Sequence, residues 1–105
     1  MKHIKRHYQE RVLYKGKSKV VGITIVGDAE KQPDGTVLFR FGAARSSVKD
    51  NFVKATGMML ATERFNNYPH SEKLIVGEWS LNLVLHDLVK HIVRNPMYIK
   101  EHFKS

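Results

Sequence analysis

Residues 39–65 read FRFGAARSSVKDNFVKATGMMLATERF, and within them the spacing of apolar residues changes from that of a strand to that of a helix. Over 36–43, Val37, Phe39, Phe41 and Ala43 alternate with Thr36, Leu38 and Arg40. A period of two is that of a half-buried strand, here with its Phe side toward the core. Further on, Val48, Phe52, Ala55 or Thr56, and Met59 recur three and four residues apart, and Val53, Leu60 and Ala61 widen the set. That spacing marks one face of a helix. Ser46 or Ser47 is placed to cap its N-terminus, and Asp50, three residues after Ser47, makes a shortened capping box. Gly57 costs a mid-helix position about 1 kcal/mol relative to Ala, which is tolerable where the helix backbone must come close to the sheet or to a partner. Asn66-Asn67 and Tyr68-Pro69 end the helix.

Working outward, the upstream chain is sheet. Residues 8–14 form a first strand, with Tyr8, Glu10, Val12 and Tyr14 on one side and Gln9, Arg11 and Leu13 on the other. Residues 15–18, KGKS, supply a turn. Residues 19–26 are rich in β-branched side chains and form a second strand, in which Gly22 marks a bulge or a close backbone approach. Residues 27–35, GDAEKQPDG, carry turn chemistry throughout and form an acidic loop. Downstream, Leu74-Ile75-Val76 suggests a short fourth strand. Ser80 caps a helix to Arg94 with Leu81, Leu85, Leu88, Val89 and Ile92 as its buried stripe, and Asn95-Pro96 stops it and opens a last short helix. The fold expected is a single α+β domain over 1–105: an antiparallel three- to four-stranded sheet, with two main helices on one face.

Bulk composition narrows the function. The chain has 105 residues, no cysteine, and 18 Lys and Arg against 10 Asp and Glu, for a net charge of +8. Without cysteine there is no disulfide framework, thiol nucleophile or Cys-ligated zinc. The charged start, MKHIKRHYQERVLY, has no apolar run behind it, so no secretory signal is expected. No stretch approaches the roughly 20 apolar residues of a membrane span. A soluble chain in the cytoplasm is expected, with no membrane partner. The charge favours a polyanion such as nucleic acid, or an acidic protein surface.

The basic residues fall into three groups. Lys2, Lys5, Arg6 and Arg11 belong to the first segment, where only Glu10 opposes them, and residues 1–7 are expected as a flexible basic arm. Lys15, Lys17 and Lys19 surround the first turn, while Arg40, Arg45, Lys49 and Lys54 surround the strand-to-helix junction, with Arg64 further along. A helix N-terminus can hold a phosphate, so Ser46, Ser47 and Arg45 make a candidate phosphate contact; the plainer alternative is that the serines cap and the cations are solvated.

Other chemistry is weakly supported. His3 and His7 are four apart and His86 and His91 five apart, and no H-E-x-x-H is present, so no metal or cofactor is expected. Asp50, Glu63, Glu78, Asp87, Ser46, Ser47 and Ser80 have no spacing that a mechanism demands, so no catalytic residue is assigned and the chain is not expected to be an enzyme. Phe65, Tyr68, Trp79 and Tyr98 form either an exposed aromatic patch or part of the core.

The string Ser47-Val48-Lys49-Asp50-Asn51-Phe52-Val53-Lys54, followed by Gly57, Ala61 and Arg64, resembles a pattern in small phage and plasmid proteins, roughly S-P-K-D-x-F-x-[KR]-x-x-G-x-x-x-A-x-x-R. It covers about a fifth of the chain, with Val48 where proline is commoner. The resemblance implies a mobile-element origin, hence a host cytoplasm, and no particular activity. The leading expectation is a small basic nucleic-acid-binding protein that makes largely sequence-independent phosphate contacts. The alternative is an accessory protein that docks on an acidic host protein or defence complex through Met97, Tyr98 or Phe103. A third is a self-assembling component, that is, a homo-oligomer.

Overall fold

The structure, a computed structural model, describes residues 2–46, 53–67, 69–75, 81–95 and 97–103, with the side chains of 2, 71–75 and 81 left out. The chain opens with strands β1 (Lys2–Tyr14), β2 (Lys17–Lys31) and β3 (Thr36–Arg45). Helix α1 (Lys54–Asn67), strand β4 (His70–Ile75) and helices α2 (Leu81–Arg94) and α3 (Tyr98–His102) follow. The four strands form one antiparallel sheet in the order β1-β2-β3-β4. The expected α+β domain and its antiparallel meander are present, with the fourth strand added at the edge.

The strands are longer than their composition suggests. Residues 2–7, expected as a loose arm, are the first half of β1, because Lys2 to His7 pair with Ala29 to Thr24 on β2 and Ile4 is buried. Residues 27–31, expected as loop, extend β2: all five pair with β3, and Gly27, Asp28 and Ala29 pair with β1 as well. The turn is confined to 32–35, where Gln32 N–H donates to Thr36 O (2.7 Å) and Thr36 Oγ1 donates to Asp34 Oδ1 (2.6 Å). Local turn chemistry over GDAEK yields to pairing on both flanks, which satisfies its main-chain groups more completely.

Register separates two faces of the sheet. One, the aromatic face, carries Tyr8 and Val12 of β1, Val21, Ile23 and Ile25 of β2, and Phe39, Phe41 and Ala43 of β3. Phe39 and Phe41 stack with ring centroids 4.8 Å apart, and Phe103 meets Phe41 edge-on at 5.7 Å. Leu85, Leu88, Val89 and Ile92 of α2 close this core as their spacing predicts, joined by Val84, which the expected stripe did not include; the side chain of Leu81 lies outside the described residues. The opposite face, the glycine face, carries Val26, Gly42 and Ala44 and is covered by α1 through Ala61, with Met58, Leu60 and Phe65 partly buried. The two main helices therefore lie on opposite faces, not on one: Phe39 and Phe41 share a core with α2, and Gly42 and Ala44, on the other face of β3, lie against α1.

α1 does not use its expected stripe. Val53, Ala55, Thr56 and Met59 are exposed, and Gly57 and Ala61 are the buried residues. A Cβ added at Gly42 would run into the main-chain N of Phe65 and O of Ala61, so helix and strand backbones approach more closely than side chains would permit. Arg64 completes the dock, its Nη1 donating to Ala43 O at 2.9 Å. The capping expectation is also corrected at Ser46. Its N–H donates to Gly22 O (2.9 Å) and its Oγ accepts from Gly22 N–H (2.8 Å), which extends the β2–β3 ladder by one step. Val48, Phe52 and the cap candidates Ser47 and Ser80 lie outside the described residues.

Candidate nucleic-acid interface

β1 and β2 are joined by a two-residue turn, Lys15-Gly16, with φ of 51° and 76°. Positive φ at both positions is the type I′ geometry that matches strand twist. β3 pairs with β2 only from Ile23 onward. Hence residues 11–20 form a two-stranded ribbon beyond the rest of the sheet, consistent with a molecule 48 Å long and 28 × 22 Å across.

That ribbon is basic. Arg11, Lys15, Lys17 and Lys19 are all exposed, and no acid occurs from 11 to 27. Arg11 Nη1 lies 3.4 Å from Ser18 Oγ across the strands, and Lys15 Nζ sits 5.5 Å over the Tyr14 ring. Lys17 and Lys19 share the aromatic face with Val12 and Tyr14, whereas Arg11 shares the glycine face with Leu13 and Val20. Leu13 is 83% exposed and Val20 39%, because α1 covers the other end of that face. This apolar pair within a basic ribbon was not anticipated from sequence. The available signal was the acid-free decapeptide around Lys15-Gly16, a hairpin turn between alternating strands.

The remaining candidates do not join it. Lys2, Lys5 and Arg6 stand at the far end of β1, about 30 Å or more from the turn at ~3.3 Å per residue, with Lys5 and Arg6 exposed on opposite faces. Arg40 is held by Asp28: its Nε donates to Oδ1 at 3.1 Å and its Nη2 to Oδ2 at 2.9 Å. Asp28 is 4% exposed, and its hydrogen bond and charge hold the Arg40 guanidinium above its usual pKa. Arg45 lies on the aromatic face at the end of β3, half-buried, and burial pushes its pKa down. Among the described residues nothing accepts a hydrogen bond from its buried Nε. Lys54 is exposed at the start of α1, and Lys49 lies outside the described residues. Thus Arg40 and Arg45 diverge onto opposite faces, and the junction does not gather them into one patch.

Other expectations change with the fold. His3 and His7 sit on a strand, where four residues span about 13 Å, and His7 Nδ1 hydrogen-bonds buried Thr24 at 3.0 Å. No group of three metal-ligating side chains occurs among the described residues. Tyr98 and Phe103, offered as docking anchors, are each 3% exposed in the core, and only Met97 of that set is open. Phe65 and Tyr98 pack on opposite faces of the sheet, so they do not form one aromatic patch; Tyr68 and Trp79 lie outside the described residues. No described helix is long and apolar enough to cross a membrane. Comparisons with protein-family models, curated proteins and solved structures found no match.

Proposed function

We propose that this is a small nucleic-acid-binding protein, of phage or mobile-element origin, which engages phosphates largely without regard to base sequence through the β1–β2 ribbon. One observation carries the reading: Arg11, Lys15, Lys17 and Lys19 converge on a projecting, acid-free two-stranded ribbon. A ribbon of that kind fits the roughly 12 Å width of a duplex major groove, with cations on both of its faces within reach of the two phosphate walls. Lys5, Arg6 and Lys54 extend the positive field and steer approach.

The test is binding to labelled single- and double-stranded DNA and RNA across a salt series. On a duplex, log K falls with log salt by about 0.9 per phosphate contact, so four contacts give a slope of roughly −3 to −4. Replacing Arg11, Lys15, Lys17 and Lys19 together with Gln removes most of that slope and leaves thermal unfolding in place. Absence of binding at low salt eliminates the reading.

A second reading rests on Leu13 and Val20, whose exposed side chains amid cations suit an acidic protein surface with an apolar centre. Leu13→Ser separates the two: it weakens a protein complex and spares phosphate binding.

A further inference from the structure

β1 stands at the edge of the sheet, thirteen residues long, and is the natural place for a further strand. Edge strands ordinarily carry a device against such pairing: a proline, a bulge or short length. β1 has none of these. Its register with β2 is unbroken from Lys2↔Ala29 to Tyr14↔Lys17, and it contains no proline. Lysines and arginines are its guard, and their arrangement points to what they admit.

The tight turn makes Tyr14↔Lys17 a hydrogen-bonded pair, so the even residues of β1 bond inward and the odd ones direct their main-chain groups outward. Gly22, opposite Gln9, agrees with this alternation, since both its N–H and C=O serve Ser46 on the far side of β2. On the outer edge, Lys5 O is met by Arg6 Nη1 at 3.2 Å, a guanidinium folded back over a carbonyl of its own strand.

We propose that β1 pairs antiparallel with β1 of a second copy of this chain, about a two-fold axis at Tyr8, to give one continuous eight-stranded sheet; residues 2–5 of that copy then lie beside residues 11–14, so this dimer and a two-stranded ribbon seated in a groove are alternative states of the chain. Residue 8 is the midpoint of Lys2–Tyr14, so this register alone pairs the strand along its full length. It sets Arg6 against Glu10 of the second copy, and Glu10 against Arg6, on the aromatic face. Glu10 is the only acid in residues 1–27, which makes that coincidence informative. The same register opposes Ile4 to Val12 and Tyr8 to its twin. Residues facing one another across such an axis have equal parity, so Glu10 can meet a cation of β1 in just two registers. The other is centred on residue 6, pairs Glu10 with Lys2, and sets Arg6 against itself. The opposing term is Lys5 facing Arg11 on the glycine face. Both are exposed, long and solvated, and like charges of that kind are weakened by salt.

Sedimentation of the full chain in about 0.3 M salt, where the Debye length is below ~8 Å, should give twice the 12.1 kDa monomer mass. Glu10→Arg and Arg6→Glu should each return it to monomer, and the double swap should restore the dimer. Because the chain has no cysteine, Tyr8→Cys offers an independent readout. On the axis its Cα lies about 4.5 Å from its twin, within disulfide reach, whereas Leu13→Cys is displaced by about 30 Å. Rapid oxidative dimerisation of Tyr8→Cys but not Leu13→Cys supports the pairing. A monomer at every concentration, a double swap that fails to restore the dimer, or equal cross-linking at both positions overturns it. Far-UV circular dichroism confirms that each variant is folded.

Discussion

The two faces of the sheet are built by different means. On the aromatic face, bulky side chains interlock: Phe39, Phe41, Ile23 and Ile25 meet Leu85, Val89 and Ile92, each fully buried. On the glycine face, α1 buries its smallest residues, Gly57 and Ala61, and its backbone at Ala61 and Phe65 lies against Gly42 of β3, with Arg64 bonded to a strand carbonyl. The first arrangement draws its stability from apolar area, the second from close backbone contact and a charge-assisted hydrogen bond. Apolar periodicity reports the first and is blind to the second. The G-x-x-x-A-x-x-R portion of the phage-like pattern, Gly57, Ala61 and Arg64, coincides with the α1 docking residues. Those three positions have a structural explanation.

Five substitutions and one titration test that contrast, in falling order of effect. Leu85→Ala leaves a cavity in the interlocked face and should cost about 2–5 kcal/mol in urea unfolding. Gly42→Ala adds a single methyl, yet it should cost about 1–3 kcal/mol, because backbone on α1 has to move aside. If Gly42→Ala is neutral, the close approach is wrong. Arg64→Met keeps the length of the side chain and strands the Ala43 carbonyl; a loss of about 1–2 kcal/mol is expected. Burial already pushes the Arg64 pKa below its ordinary value, with Glu63 opposing, as expected for a guanidinium tucked against the sheet. Val53→Ser and Met59→Ser, which delete apolar side chains from the expected stripe, should change stability by no more than about 0.5 kcal/mol.

The titration concerns Tyr8, at the margin of the aromatic face. Burial raises its hydroxyl pKa above the ordinary tyrosine value, with the Arg6 charge pulling the other way. The folded chain therefore keeps the proton longer than the unfolded chain. Its contribution is fully present below the ordinary tyrosine range and is lost as pH rises through the raised value. Tyr8→Phe should flatten the decline of thermal stability above about pH 9 and change little at neutrality.

Much of the architecture was legible. The alternation of Val37, Phe39, Phe41 and Ala43 and the α2 stripe from Leu85 to Ile92 stand as their periods indicate, and the turn expected over 15–18 is present, narrowed to Lys15-Gly16 with Lys17 and Ser18 in β2. The lost expectations share one cause, that local signals were weighed without their neighbours. The cations of 2–7 suggested a loose arm, yet Ile4 finds the core and the backbone finds β2. Asp28 looked like part of an acidic loop, and across the β2–β3 ladder it meets Arg40. Ser46 looked like a cap, and Gly22, 24 residues earlier, takes both of its groups.

By itself the sequence determined the α+β class, the β1–β2 hairpin and the +8 charge, because dihedral preferences, side-chain periods and ionisation are properties of a residue and its near neighbours. The tertiary structure alone decided which cations are available and which face each helix covers. Those outcomes depend on register: whether Arg40 falls opposite Asp28, whether Gly42 falls beneath Ala61, and whether Arg11, Lys15, Lys17 and Lys19 fall where no third strand follows. A one-residue slip would change each of these and leave the composition as it is.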